Sequence, residues 1–326
     1  MNAPDKLAAF HAERLTGLGG SDIGAILGLS KFRTPVDVWA EKTGRVAPQE
    51  SSLQMRFGTY AEEFVAQEYT AATGKRVQRF NPMLRHPTAP LIGHVDRLVI
   101  PDGAKVASHK SEIRTDCLLE CKTASAFAAM NANEWGEAGT DQVPMAYLVQ
   151  VATYRILAGC HYADLAVLFG NQDFRVYHLM RDADLEQMII AKATEWWQRH
   201  VVADVPPEPV SDADVRLLYP ASTPAKTVEA TDEILQTLSV LRTAKEQAKA
   251  YEDAAEAAAV ALKAALGDAE ALTYQGQTLA TWKSAKPSRR TDWKAVANAI
   301  AAPANVIELF TTETAGSRRF LLKDEK

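Results

Sequence analysis

The sequence predicts an α/β protein, a mixed β-sheet flanked by helices, followed by a long helix and a small α+β module. Three observations carry this. Short apolar runs, broken by Asn-Pro, His-Pro and Pro-Asp-Gly turns, fill residues 76–122 and return at 163–180. Segments with helical apolar period lie before, between and after these runs. A proline-rich stretch then separates this region from an alanine-rich, charged one.

Taken in order, residues 5–18 suggest a short helix. Leu18-Gly19-Gly20-Ser21-Asp22 reads as a flexible turn ending in helix-capping residues, with a helix over Ile23–Leu27. Pro35–Lys42 has proline at its start and Gly44 beyond its end, the asymmetry of a short helix. A long helix runs from about Leu53 to Thr73, closed by Gly74, with Phe57, Ala61, Phe64, Val65, Tyr69 and Ala72 on its stripe. Strand-like runs follow at Arg76–Phe80, Met83–Leu84, Leu91–Val95, Leu98–Ile100 and Leu118–Lys122, with a polar hairpin loop over 101–117. Residues 123–143 read as a loop or lid. Pro144–Ala158 reads as a helix ended by Gly159, Ala163–Phe169 and Phe174–Met180 as a hairpin, and Leu185–Val202 as an amphipathic helix.

This divides the chain into a first domain over 1–205, a proline-rich linker over 206–228, a helical arm over 229–267 and a small basic module over 268–326. The arm repeats Ile234, Leu238, Leu241, Ala244, Ala248, Tyr251, Ala255, Ala258 and Leu262 in steps of three or four. A hairpin near Thr278–Lys283, a helix near Asp292–Ala301 and a last strand at Arg319–Leu322 complete the reading. Residues 274–326 hold nine Lys/Arg against five Asp/Glu, so a basic tail of +4 follows a chain that sums to −9. The overall charge of −5 excludes a globally basic nucleic-acid coat but not local basic patches. The three cysteines show no CxxC spacing, which fits reduced thiols and argues against a four-cysteine metal site. No run is long and apolar enough for a membrane span, and Met1 to Leu18 does not read as a signal peptide.

The chemistry is concentrated in Leu118-Leu119-Glu120-Cys121-Lys122, an apolar strand ending in a carboxylate and an ammonium one residue apart. Strand alternation puts Glu120 and Lys122 on one face. Upstream, Leu91-Ile92 runs into Gly93-His94-Val95-Asp96. Hydrolysing a phosphodiester requires an activated water and neutralisation of the charge that develops on phosphorus and the leaving oxygen. A magnesium ion held by carboxylates supplies both, with a lysine orienting or deprotonating the water. Asp96 and Glu120 are the candidate ligands, the Cys121 carbonyl could complete the shell, and Lys122 would face the water. The alternative is a surface ion pair on an edge strand; charges beside interior apolar runs weigh against it.

Other residues are weaker candidates. Glu62, four residues after Gly58 on one helix face, could reach a metal from the side, or could be simply solvated. Gly19-Gly20-Ser21 before a helix suits a phosphate, with Arg14 adding a fork of donors; taken alone, an ordinary Ser/Asp cap after a glycine turn is the better explanation. Gln150 shares a helix face with Tyr147 and Tyr154, and His94 shares the face of Asp96. In the tail, Trp282, Lys283, Lys286, Arg289, Arg290, Trp293, Lys294, Arg318, Arg319 and Phe320 interleave aromatics and cations, as a DNA contact or a solvated basic face would.

In order, Arg14 with Gly19-Gly20-Ser21-Asp22, Gly58 to Glu62, Gly93-His94-Val95-Asp96, Glu120-Cys121-Lys122 and Pro144-x-x-Tyr147-x-x-Gln150 resemble the YqaJ-like viral recombinase family. That family is related to lambda-type alkaline exonuclease, within the PD-(D/E)xK nuclease superfamily. The resemblance covers about residues 10–200. It implies that Asp96, Glu120 and Lys122 form the catalytic trio, with Glu62 the helical acid and Gln150 the supporting residue. It further implies that Arg14 and Ser21 hold the 5′-phosphate of a DNA end. By the same resemblance the chain would degrade one strand of linear duplex DNA from 5′ to 3′, using Mg²⁺, with Mn²⁺ able to substitute and two ions in the site. It would leave a 3′ overhang for a single-strand annealing protein, in a bacterial host cytoplasm and from a phage or prophage. Self-association into a homo-oligomer stays open. So do a structure-specific or nicking endonuclease on the same fold, and an inactive DNA-binding scaffold. The superfamily's proline before the aspartate is absent here, with His94-Val95 in its place.

Overall fold

The computed structural model describes residues 12–47, 52–131, 133–313 and 320. It separates into two compact units, Met1–Pro220 and Ala221–Lys326.

The first unit is built on a five-stranded mixed sheet, as expected. Its strands in spatial order are β1 (Val77–Arg79), β4 (Arg97–Val99), β7 (Cys117–Ala124), β8 (Tyr162–Phe169) and β9 (Asp173–Met180). Only β7 and β8 are parallel; the other neighbours are antiparallel. A parallel pair needs a crossover. Here it is α4 (Met145–Ala158), which starts after Pro144 and stops at Gly159 in the left-handed region, φ 70°. Two minor ribbons, β2 (Leu84–Arg85) with β3 (Ile92–Gly93) and β5 (Ser108–His109) with β6 (Glu112–Ile113), sit in the connections.

Strand alternation sorts the core into layers. Leu118 faces α4 with Leu98, Leu165 and Val167, whereas Leu119 and Cys121 face α3 (Leu53–Thr73) with Val65, Ala66 and Tyr69. Beyond α4, its opposite side packs Val149 and Ala152 against α1 (Gly20–Ile26), α2 (Pro35–Lys42) and α5 (Ala183–Trp196). The C-terminal half of α3 is riveted to the sheet: Asp164 on β8 accepts hydrogen bonds from the Tyr69 hydroxyl at 2.5 Å and Lys75 at 3.0 Å, with His178 Nδ1 at 2.7 Å. Burial disfavours the charged Asp164, but these three partners outweigh it and hold its pKa below the ordinary value. The N-terminal half of α3 instead exposes Leu53, Phe57, Tyr60 and Phe64.

Several expectations are corrected. Helix α1 is capped by Gly19, not Ser21: the Asp22 carboxylate accepts from the Gly19 N–H at 2.9 Å, leaving Ser21 exposed in the first turn. Asp22 is itself fully buried, between Lys42 at 2.8 Å and Arg33 at 2.7 Å. The proline-rich stretch is not all linker. Pro207 is buried, and Ser211 and Asp214 form a capping box that starts α6 (Asp212–Leu218). Buried Asp214 then accepts from the Thr34 hydroxyl at 2.7 Å, and Leu218 packs on the helical core. Between α5 and this stretch the chain makes one π-helical turn, Trp197–Val202.

The second unit begins with α7 (Asp232–Leu266), 35 residues capped by Thr231. A hairpin follows, β10 (Ala271–Tyr274) with β11 (Gln277–Thr281), turning through Gln275-Gly276, both at positive φ. Two short helices, α8 (Trp293–Ala299) and α9 (Ala304–Leu309), complete the described part. Of the helix expected over 5–18, residues 12–14 are helical and 15–16 turn, the earlier part lying outside the described residues; of the last strand expected at 319–322, only Phe320 is described, and it is in no strand. Among the described residues, no helix is long and apolar enough to cross a membrane.

Candidate active site

The site forms where two strands part. β4 pairs with β7 only at Arg97–Leu119 and Leu98–Leu118. Past that point the ladder ends, and the Asp96 carboxylate takes over as acceptor, receiving the Cys121 N–H at 2.8 Å. A backbone donor inside the fold is thereby satisfied by an acid from the neighbouring strand. That bond fixes the Asp96 side chain next to β7.

On β7, Glu120 and Lys122 share the α4 face, as alternation requires. Glu120 is 2 % exposed; its Oε1 lies 2.7 Å from Lys122 Nζ and accepts from Gln150 Nε2 at 3.0 Å. Gln150 Nε2 also reaches the Tyr154 hydroxyl, at 3.3 Å. The Lys122 ammonium stands 5.9 Å from the Tyr147 ring centre. The three polar residues that recur along α4 thus all face the β7 charges. Burial opposes the charge on Lys122, but Glu120 and Asp96 outweigh it and hold its pKa above the ordinary lysine value. In this charge setting the Lys122 ammonium is suited to orienting a water or binding an anion.

The carboxylates are under-compensated. Glu120 Oε2 is buried without a hydrogen-bond partner. Burial, then the neighbouring Glu120, pushes the Asp96 carboxyl up to about 8. Two close acids share one ammonium, and an oxygen lone pair is left pointing at nothing. The donors at hand, two carboxylates and the Cys121 carbonyl, are hard oxygen ligands of the class Mg²⁺ takes. The residues present therefore fit a divalent cation. Cys121 offers no thiolate: burial and Asp96 both raise its pKa, and its side chain packs on the α3 side.

Other expected residues are placed unevenly. Gln150 belongs to the cluster. Glu62 does not turn to Asp96 or Glu120; its carboxylate is bound by Arg97. Accordingly no group of three or more His, Cys, Asp or Glu side chains is gathered as metal ligands among the described residues. Ser21 lies one residue from Gly20, whose missing Cβ is what lets α1 approach α4: a methyl there would stand 2.9 Å from Gln150 Cγ. Arg14 is tied through its carbonyl, which accepts from Lys42 at 2.8 Å. Gly58 makes no unusually close approach, since a methyl there would meet Thr123 Oγ1 at 3.8 Å. His94 Nδ1 lies 3.2 Å from the Asn81 carbonyl. Lys283, Lys286, Arg289 and Arg290 are exposed on the second unit, Lys283 within 3.8 Å of Glu270. Arg318 and Arg319 lie outside the described residues.

Sequence reasoning missed Arg97. Its guanidinium is 3 % exposed and is shared by Glu62, Glu63 and the Asp96 carbonyl. The signal was a lone cation inside the apolar run Arg97-Leu98-Val99-Ile100, next to the candidate acid.

Comparison with known proteins gives three findings. Residues 9–161 match the model of the YqaJ-like viral recombinase domain. Protein YqaJ of Bacillus subtilis (strain 168) is 31% identical over 285 residues, covering 85% of this chain and 83% of that protein. Among solved structures, the alkaline exonuclease LHK-Exo from Laribacter hongkongensis covers 60% of this chain and 93% of its own, at 16% identity and a TM-score of 0.45. In complex with dAMP it gives a TM-score of 0.47. A phage related exonuclease from Haemophilus somnus 129PT gives 0.37 at 12% identity, over 60% of this chain and all of its own.

Proposed function

The chain belongs to the YqaJ-like viral recombinase domain family, and on that premise we propose that it is a metal-dependent DNA exonuclease. In this reading it degrades one strand of linear duplex DNA from 5′ to 3′ and leaves a 3′ overhang for a single-strand annealing protein. It acts in the cytoplasm of a bacterial host, as a phage or prophage product. The catalytic unit in this proposal ends at Pro220, and α7 with the basic module is an appendage offering further DNA contacts.

The observation that carries the reading is the under-compensated pair, Asp96 pushed up to about 8 beside a Glu120 oxygen without a partner. Asp96, Glu120 and the Cys121 carbonyl would hold Mg²⁺, or Mn²⁺ in its place, in a site of two ions. Bound there, the ion supplies Lewis-acid neutralisation of phosphoryl charge and a water of lowered pKa. The remaining work falls to the chain. Asp96, held in line by the Cys121 N–H, would bind the ion as a carboxylate, its proton passing to solvent. Gln150, braced by Tyr154, fixes the Glu120 carboxylate. The Lys122 ammonium orients the attacking water and faces the charge developing at phosphorus. Ser21, beside Gly20 and hence close to Gln150, together with Arg14 would receive the 5′-phosphate of the DNA end.

The test is linear duplex DNA labelled at either end, with and without a 5′-phosphate, incubated with Mg²⁺. Loss of label from the 5′-phosphorylated strand first, absent in Lys122→Ala, is the expected result. Cutting of closed circular DNA would replace the exonuclease reading with an endonuclease. Tight DNA binding without any cleavage in Mg²⁺ or Mn²⁺ would leave a binding scaffold.

A further inference from the structure

Arg97 sits one residue after Asp96, on β4 in register with Leu119 of β7 and Arg79 of β1. Its side chain leaves the sheet on the α3 side, where it is almost wholly buried. A buried guanidinium is costly unless its donors are used. Here they meet three acceptors: one terminal nitrogen donates to Glu62 Oε1 and, at 2.6 Å, to the Asp96 carbonyl, while the other donates to Glu63 Oε2 at 2.9 Å. Glu63 is also gripped by Arg79 at 3.0 Å. Arg97 therefore has two anchors that do not involve Glu62, namely Glu63 and the main chain of Asp96.

This arrangement solves an electrostatic problem. One terminal nitrogen of Arg97 holds both Glu62 Oε1 and the Asp96 carbonyl, so the Glu62 carboxylate stands beside Asp96. A third acid would not settle beside two under-compensated ones without a cation of its own. Lys122 serves Glu120, and Arg97 serves Glu62. Because the guanidinium stays held by Glu63 and the Asp96 carbonyl, Glu62 can exchange its bond to Arg97 for another partner without Arg97 losing its place.

We propose that Arg97 is a positioning residue that stores the Glu62 carboxylate beside Asp96, ready to be handed to a divalent cation held at Asp96 and Glu120. The proposal rests on the metal-dependent reading of that site.

The experiment is a calorimetric titration of the DNA-free protein with Mn²⁺, in wild type, Asp96→Asn, Glu62→Gln, Arg97→Gln and the Glu62→Gln/Arg97→Gln double variant. Loss of binding in Asp96→Asn is expected and establishes the site. Glu62→Gln and Arg97→Gln should each weaken affinity by about 10-fold, the scale for groups that orient metal ligands. Since Arg97 acts through Glu62, the double variant should also be weakened by about 10-fold. A loss near 100-fold, the product of the two, would mean that Arg97 supports the fold independently of Glu62, and would overturn the proposal while leaving the metal site standing. If Arg97→Gln does not fold, Arg97→Lys is used in the same cycle, since it keeps the charge but cannot span three acceptors. A wild type that takes up no Mn²⁺ would overturn the metal-dependent reading and the role of Arg97 together.

Discussion

Gly20 is packed so tightly on Gln150 that an added methyl would lie 2.9 Å from both Cγ and the carbonyl oxygen of that residue. The second of these is main chain and cannot rotate away. Gly20→Ala should therefore push α1 off α4, costing roughly 1–3 kcal/mol. Because Gln150 fixes Glu120, the same variant should lose nuclease activity beyond what its melting point explains. Thermal melting and a cleavage assay well below the melting point separate the two effects.

Asp96 gives the protein a pH signature. Its carboxyl is raised from an unfolded value near 4 to about 8, chiefly by burial. A raised folded pKa contributes stability that is complete below the unfolded value and is lost as pH rises through the folded one. The metal-free protein should thus melt progressively lower between about pH 4 and pH 8, at most roughly 1.4 kcal/mol per pH unit from this group. Asp96→Asn should flatten that slope and melt higher than wild type at pH 9. An unchanged slope in the variant would assign the effect to other groups.

Lys122 compensates Glu120, which is 2 % exposed, while Lys122 itself is 22 % exposed. Lys122→Met should remove nuclease activity by at least about 100-fold, on the scale of losing an electrostatic catalytic group. It should also destabilise the metal-free protein, since the carboxylate keeps only Gln150 as a donor. Added Mg²⁺ should restore more stability to this variant than to wild type, a difference readable by thermal melting with and without the ion.

The boundary after Pro220 can be tested by truncation. A chain ended after Pro220 retains the Thr34–Asp214 bond and the packing of Leu218; one ended after Val205 loses both. The shorter chain should melt several degrees below the longer one. Equal melting temperatures would return the 206–218 stretch to the status of a linker.

Much of this arrangement is legible in the residues. Strand alternation alone puts Glu120 and Lys122 on one face, and the step of four from Gln150 to Tyr154 puts both on one helix face. What is not legible is partnership across the sheet. Nothing in Asp96-Arg97 says that the second side chain turns to the opposite side and captures two consecutive glutamates of α3, because register and helix rotation decide that. Ser21 is misread as a cap because two adjacent glycines leave the local pattern ambiguous until Asp22 selects Gly19. The Ser211-x-x-Asp214 capping box is a visible helix start, but the surrounding prolines read as extended chain, and only Thr34, far away in sequence, gives Asp214 a reason to be buried.

The rivet at Asp164 has a mechanical consequence for α3. With Tyr69 and Lys75 fastened to β8 and its first turns carrying Leu53, Phe57 and Tyr60 in the open, the helix is a cantilever clamped at one end. Amide exchange should grade along it, slow over 65–72 and fast over 53–58. Glu62 lies between the clamped and free portions, where Arg97 is its tie to the sheet.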